Sequence, residues 1–306
     1  GARARPCRPR GWARARGRFA PGRLAALGSA RRRHEVIALW PYLYATTQLA
    51  MPIAPERTVL VPLAHDEPMF RLGLSRGLVR MAAGLAFMTP EERRLVDDLH
   101  GIGEVPEAIV GAGLDPAPPG DGSRVRATRD LPERFALYLG RVDPAKGLDP
   151  LVRAHGDYRA AGGALGLVLA GRPTVEMRLP EWVRTTGFVD DRTRSDLLDA
   201  AEVVVLPSPH ESLSLVALEA WRAGRPTPAT RRSDLLAGHT ARPGGGLLYL
   251  DAPTYARQLT RLAGDAALRA RLAAAGEEWV AGHTWDACAR RWRSLLARVR
   301  KPLIPA

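Results

Sequence analysis

From His34 onward, short apolar runs alternate with amphipathic stretches. The runs at 36–39, 58–63 and 85–88 are too short for helices and predict buried strands, and 108–110 is a briefer candidate. Residues 75–82 and 90–99 carry helical spacing, and Thr89 and Pro90 suit an N-cap and a first turn. The next stretch, DPAPPGDGSRVRATRD at 115–130, is polar and rich in Pro and Gly, so an interdomain linker is expected there. A second alternation follows. Strands are predicted at 135–139, 165–170, 182–188, 203–206 and 246–250, and helices at 148–160, 192–200, 213–223, 252–262 and 266–281. In the last segment Trp285, Cys288, Ala289, Trp292, Leu295, Leu296 and Val299 fall on one helix face, which reads as core packing. Strands alternating with helices define an α/β class with parallel sheets.

Composition permits a sizeable core, since 46% of the 306 residues are hydrophobic. No apolar run approaches the roughly 18 residues of a membrane span. Cys7 and Cys288 are too few for a disulfide framework, which fits a reducing cytoplasm. The net charge is +13, but residues 1–33 hold eleven arginines and no acid, leaving +2 for residues 34–306. Only Lys146 and Lys301 among the 45 basic residues are lysines, a bias that GC-rich coding DNA also produces. The tail at 1–33 has no apolar periodicity and reads as disordered. It is open to three readings: contact with an anionic polymer or lipid, a transit peptide, or a start codon assigned too far upstream. Nucleic-acid binding is disfavoured, because the body of the chain is nearly neutral.

Two segments carry candidate chemistry. GRVDPAKG at 140–147 follows a buried strand and opens a helix. In an open α/β sheet, ligands sit outside the carboxyl ends of strands, and a phosphate there meets the positive end of the next helix. Arg141 and Lys146 would add charge-assisted bonds. The plain alternative is a solvated turn with surface charges. PSPHESLSLVALEAWRAG at 207–224 places Glu211 in a loop before a helix and Glu219 eight residues later on that helix. Glu219 shares a mostly apolar face with Leu215 and Val216 and so needs a partner, which sugar hydroxyls would supply. The plain alternative is a capped helix with one internal salt bridge. No His or Cys spacing suggests a metal site, and no nucleophile signature is present.

The order of these segments, with TGFVDD between them and GGLLY at 245–249, resembles family 4 of the retaining GT-B glycosyltransferases over residues 134–298. The resemblance implies two Rossmann-like domains facing a cleft, with no cofactor beyond a nucleoside-diphosphate sugar as donor substrate and no metal. It assigns Gly140, Arg141 and Lys146 to the donor diphosphate turn, Glu211 to hydroxyls of the transferred sugar and Glu219 to the ribose. Gly187, Phe188 and Val189 would lie by the base, and the amides of Leu213, Ser214 and Leu215 by the phosphates. Ser214 departs from the family, which often has glycine there. LVPLAHDEP at 60–68 resembles the strand that brings a histidine, here His65, beside the donor sugar. TPEERRLV at 89–96 and VGAGLD at 110–115 also look like the family's first domain.

The expected organisation is therefore a disordered tail (1–33), a partial N-terminal domain with linker (34–131), a nucleotide-sugar domain (132–284) and a closing helix and tail (285–306). The family's opening strand and Gly-rich turn are not found, so the first domain is expected to be incomplete. The leading expectation is a cytoplasmic retaining hexosyltransferase, with contact at the inner membrane face among the readings of its tail. The acceptor, a glycan, lipid or small molecule, is open. The rivals are a non-catalytic nucleotide-sugar-binding remnant or one subunit of a split enzyme, a GT-B epimerase, and a polyanion binder acting through the tail.

Overall fold

The computed structural model describes residues 21–302, and every strand pairing among them is parallel. The chain divides into two compact units, one formed by Gly1–Ala112 with Asp286–Ala306, the other by Gly113–Trp285. Among the described residues no helix is long and apolar enough to cross a membrane.

The first unit opens with helix α1 (Pro21–Arg33). Strands β1 (Ile37–Leu39), β2 (Thr58–Leu60), β3 (Gly84–Phe87) and β4 (Glu107–Ile109) pair in that order. Helices α2 (Ala45–Ala50), α3 (Gly73–Met81) and α4 (Pro90–His100) join them. Two-residue alternation sorts the strand side chains between two cores. Leu60, Leu85 and Phe87 pack with Tyr42, Phe70, Leu78 and Val96, while Val59, Val61 and Ala86 pack with Leu295 and Val299 of the closing helix. Thr89 caps α4, accepting from the Glu92 amide at 3.2 Å. Three expectations need correction. Residues 21–33 are helical: Leu24, Ala25, Ala26, Leu27 and Ala30 are strong helix formers, Pro21 suits the first turn, and Arg31 Nε anchors to Glu56 at 2.9 Å. The expected disorder of 1–20 lies outside the described residues. Strand β2 stops at Leu60 rather than 63, because Leu63 turns through a left-handed φ of 51°. Trp285 is 52% exposed rather than core-packed, and its indole donates to Asp115 Oδ1 at 2.7 Å.

In the second unit β5 (Phe135–Leu139) is buried throughout. The sheet order is β7 (Val183–Gly187), β6 (Gly166–Ala170), β5, β8 (Val203–Val204). A bridge from Leu206 to Ala229 continues it to β9 (Thr227–Thr230), which pairs with β10 (Gly246–Tyr249). The helices are α5 (Gly122–Thr128), α6 (Leu148–Ala160), α7 (Asp191–Ala200), α8 (Leu215–Arg222), α9 (Asp234–Ala241), α10 (Ala252–Gly264) and α11 (Ala266–Ala281), and α12 (Trp285–Val299) begins at its end. Helix α5 corrects the expected linker. The amides of Asp121 and Gly122 donate to Asp196 and Asp199 at 2.9 and 2.8 Å, and Arg124 Nε binds Asp196 at 2.6 Å. A Cβ on Gly120 would lie 2.5 Å from the Ser195 carbonyl, so its glycine marks close packing rather than flexibility. Strand β9 and helix α9 have no counterpart in the sequence reading. TPAT is wholly buried but too polar and too short to announce a strand. His155 is buried. Its Nε2 donates to the Leu165 carbonyl at 3.0 Å and its Nδ1 accepts from the Tyr255 hydroxyl at 2.8 Å. Burial holds its pKa down at about 4.

Candidate functional site

The four adjacent strands β7, β6, β5 and β8 send their carboxyl-end loops to one edge of the second unit. Parallel pairing makes this convergence automatic. Gly140 follows β5, and its amide donates to the Ala170 carbonyl at 3.0 Å. The next turn is laced to the loop after β6 by Val142 N–H to Arg172 O at 3.0 Å and Thr174 N–H to Val142 O at 3.1 Å. Gly171 donates in turn to the Gly187 carbonyl at the end of β7 at 2.9 Å. A Cβ on Gly171 would fall 1.7 Å from the Gly140 oxygen, so no side chain fits between these loops.

Within the turn, Asp143 accepts from the Ala145 amide at 2.9 Å and caps a short 3-10 segment, Pro144–Lys146. That amide, helped by a hydrogen bond from Thr174, holds the Asp143 carboxyl below its ordinary range against a small burial effect. Gly147 has a left-handed φ of 76°, and a Cβ there would meet the Pro207 carbonyl at 2.3 Å. Only glycine lets the turn press against the loop after β8. This approach brings Lys146 Nζ to 3.0 Å from Glu211 Oε1, with both side chains partly exposed. Arg141 is 65% exposed and 3.9 Å from Asp143. The Tyr138 hydroxyl fixes the base of the turn by donating to the Arg141 carbonyl at 2.7 Å, and burial raises its pKa.

In the loop after β8, the Ser208 hydroxyl donates to the His210 carbonyl at 3.0 Å. Leu213 and Ser214 are buried, Leu215 is exposed, and α8 begins there with Ser214 in the left-handed region. Glu219 faces Arg194 of α7, whose Nη2 lies 3.5 Å from Oε1. Burial raises the Glu219 carboxyl above its usual range, opposed by Arg194 and Arg222. At the end of β7, Gly187 has φ 68°; beyond it Val189 is half-buried and Phe188 is 72% exposed, with the Arg172 guanidinium 5.7 Å from its ring centre.

The structure thus joins Lys146 to Glu211, two residues from separate motifs, and gives Glu219 a protein partner in Arg194. Sequence reasoning missed Arg194 and Arg172, since an arginine on a helix or loop carries no motif of its own. His65 belongs to the first unit, where its Nε2 lies 3.4 Å from Glu67 Oε1. Its neighbour Asp66 binds Arg71 at 2.7 Å, and Glu67 accepts from the Tyr42 hydroxyl. Among the described residues, no three His, Cys, Asp or Glu side chains gather as metal ligands.

This geometry can be set beside known proteins. Residues 133–265 match the family described as Glycosyl transferases group 1. The D-inositol 3-phosphate glycosyltransferase of Streptosporangium roseum is 30% identical over 261 residues, 77% of this chain and 60% of that protein. Its counterpart in Mycobacterium tuberculosis is 34% identical over 178 residues, 53% of this chain and 37% of that protein. The chain therefore spans 60% or less of the length of these two relatives. Sucrose-phosphate synthase from Thermosynechococcus elongatus superposes with a TM-score of 0.75 at 20% identity, covering 91% of this chain and 77% of that one. Anabaena HepE in complex with UDP and glucose gives 0.73 at 18%, covering 90% and 81%. The fold is thus α/β GT-B. Over residues 133–265 the chain is similar to the glycosyl transferases group 1 family.

Proposed function

We propose that this chain binds a nucleoside-diphosphate sugar and passes the sugar to an acceptor hydroxyl with retention of configuration, as in family 4 of the GT-B enzymes. The observation that carries the reading is the 3.0 Å pair of Lys146 and Glu211, which unites the two donor-type motifs at the carboxyl edge of the sheet. Lys146 and Arg141 supply positive charge for the diphosphate, and the start of α8 supplies N–H groups. Glu211 accepts from hydroxyls of the transferred sugar, and Glu219, beside Arg194, accepts from the ribose. Gly187, Phe188 and Val189 flank the base.

In the transfer step the bond from the anomeric carbon to the leaving phosphate oxygen breaks, and the acceptor oxygen bonds to the same face. The acceptor proton passes to the leaving phosphate. Charge grows on the diphosphate as the bond breaks, so Lys146 and Arg141 stabilise the transition state more than the ground state. HepE was solved with UDP and glucose, and the curated relatives are named for D-inositol 3-phosphate. These names support a nucleotide-sugar donor and a hydroxylated, small-molecule acceptor class for this chain.

The test is incubation of the purified chain with UDP- and GDP-hexoses, following free UDP or GDP and the anomeric configuration of the product. Release of nucleotide with retained configuration supports the proposal. Tight nucleotide binding without turnover supports a non-catalytic binding subunit instead. Conversion of the donor to an epimer without acceptor supports an epimerase.

A further inference from the structure

Helix α12 covers only part of the sheet it packs on. Leu295 and Val299 bury Val59, Val61 and Ala86 along β2 and β3, while β1 at the sheet edge is left open. Two-residue alternation turns Val36, Ala38 and Trp40 to the α12 side. Ala38 is exposed there, and Trp40 is 62% exposed. The small Ala38 side chain leaves a groove of about 510 Å³ between these residues and Trp292 and Leu296 of α12. All eight residues that line it are aliphatic or aromatic, and none is charged. A concave apolar surface open to water marks an interaction site.

The rim has the opposite character. Residues 289–301 hold six Lys or Arg and no acid. Arg293 and Arg300 stand three residues before and four after Leu296, so both flank it on the helix surface, on the side away from Leu295 and Val299. The Arg300 amide donates to the Leu296 carbonyl at 2.9 Å, so the helical turn persists to that residue. The Lys301 amide then donates to the Glu35 carbonyl at 3.2 Å. That bond seats the basic end of α12 beside Val36 and close to exposed Arg32 and Arg33. Arg293, Arg300 and Lys301 are exposed, and none is in an ion pair among the described residues. The helix dipole favours cations in the last turn, but it does not reach back to Arg293.

We propose that this face of the first unit docks on an anionic membrane surface. An acyl chain of one lipid enters the groove, and its phosphate sits among Arg293, Arg300 and Lys301. Trp40 lies at the level of the headgroups, where its amphipathic ring is favoured. Interfacial binding draws on buried apolar area and on attraction to anionic lipid together, and both are adjacent here. Charge complementarity selects this occupant. An apolar peptide would fill the groove but leave the cations without counter-charge, and a sugar would find no charged or hydroxyl side chain in the lining. The docking face uses no residue of the donor turn, so it stands apart from the donor-site reading.

The experiment sediments the full chain with vesicles of phosphatidylcholine alone, or mixed equally with phosphatidylglycerol, at physiological salt. The unaltered chain should bind the anionic vesicles at least about tenfold more tightly. Arg293→Glu with Arg300→Glu should lower that affinity about 100-fold. Arg257→Glu with Arg271→Glu makes the same change of net charge at exposed positions of the second unit and should cost less than about threefold. Ala38→Asp, at an exposed position, puts a carboxylate in the groove. It should remove most of the tryptophan quenching caused by lipids brominated on the acyl chain, and thermal melts check that each variant is folded. Equal loss by the two charge-reversed pairs would mean that net charge, including the arginines of residues 1–33, holds the vesicles, and would overturn the proposal. So would unchanged quenching in Ala38→Asp, or no preference of the unaltered chain for anionic vesicles. Binding of decyl phosphate in solution without binding to vesicles would reassign the groove to a free amphiphile and overturn the membrane reading.

Discussion

Lys146 and Glu211 stand 65 residues apart in sequence and 3.0 Å apart in the structure. Their side chains are 28% and 20% exposed, so the pair is screened enough to contribute little to stability, about 1 kcal/mol or less. Its worth lies in charge placement. Lys146→Ala is expected to move the melting temperature by only a few degrees and to lower donor turnover by roughly 100-fold or more. Thermal melts and a donor-release assay check the two halves. Equal binding of UDP or GDP by the variant and the unaltered chain would remove Lys146 from the site.

Gly147 and Gly187 both have left-handed backbones, φ 76° and 68°, yet their surroundings differ. An added Cβ at 147 would lie 2.3 Å from the Pro207 carbonyl, whereas at 187 nothing lies within 4 Å. Gly187→Ala is therefore expected to cost about 1–2 kcal/mol from backbone strain alone. Gly147→Ala must also move the loop that carries Glu211, which adds about 1–3 kcal/mol of overpacking. Urea unfolding of the two variants measures the difference. Similar losses would mean that the turn and the loop do not depend on each other.

How legible this arrangement was in the sequence varied with its physical origin. Strand β5 and helices α6 and α11 have the predicted bounds, because long apolar periodicity reports burial directly. The turn of Arg141 and Lys146 and the loop of Glu211 were visible as motifs, but their contact was not, since sequence carries no distance. Gly120 and Gly122 misled in the opposite direction: they looked like linker residues and instead allow a tight seat against α7. Strand β9 was hidden because Thr227, Pro228, Ala229 and Thr230 are buried without being strongly apolar.

Gly84 makes the same point for the first unit. A Cβ there would lie 2.6 Å from Val299 Cγ2, so the glycine admits α12 against β3. Leu295 is fully buried in the same cluster. Leu295→Ala is expected to cost about 2–5 kcal/mol. Because Leu295 packs on Val59, Val61, Ala86 and Val110, the loss should appear in hydrogen exchange of β2 and β3. Unchanged protection in those strands would mean that α12 does not complete this core.

Glu92 supplies a pH dependence with a definite sign. Its Oε1 accepts from the Ala64 amide at 2.8 Å and its Oε2 from the Met88 amide at 2.6 Å, tying together the ends of β2 and β3 just before His65. Burial nevertheless dominates and pushes its pKa up to about 8, against the lowering by the Met88, Ala64 and Leu63 amides. In the unfolded chain an ordinary Glu releases its proton near 4.5. Between these values the folded state holds a proton that the unfolded state has lost, so stability falls as pH rises from about 4.5 to 8. For one site the slope is at most about 1.4 kcal/mol per pH unit. Glu92→Gln removes the titration while keeping one acceptor oxygen, so its urea midpoint should be flatter over that window than that of the unaltered chain. Other groups titrate in both proteins, so the difference between the two curves is the quantity to measure. A difference that does not change with pH would show that the two backbone amides, not burial, set the state of this carboxyl.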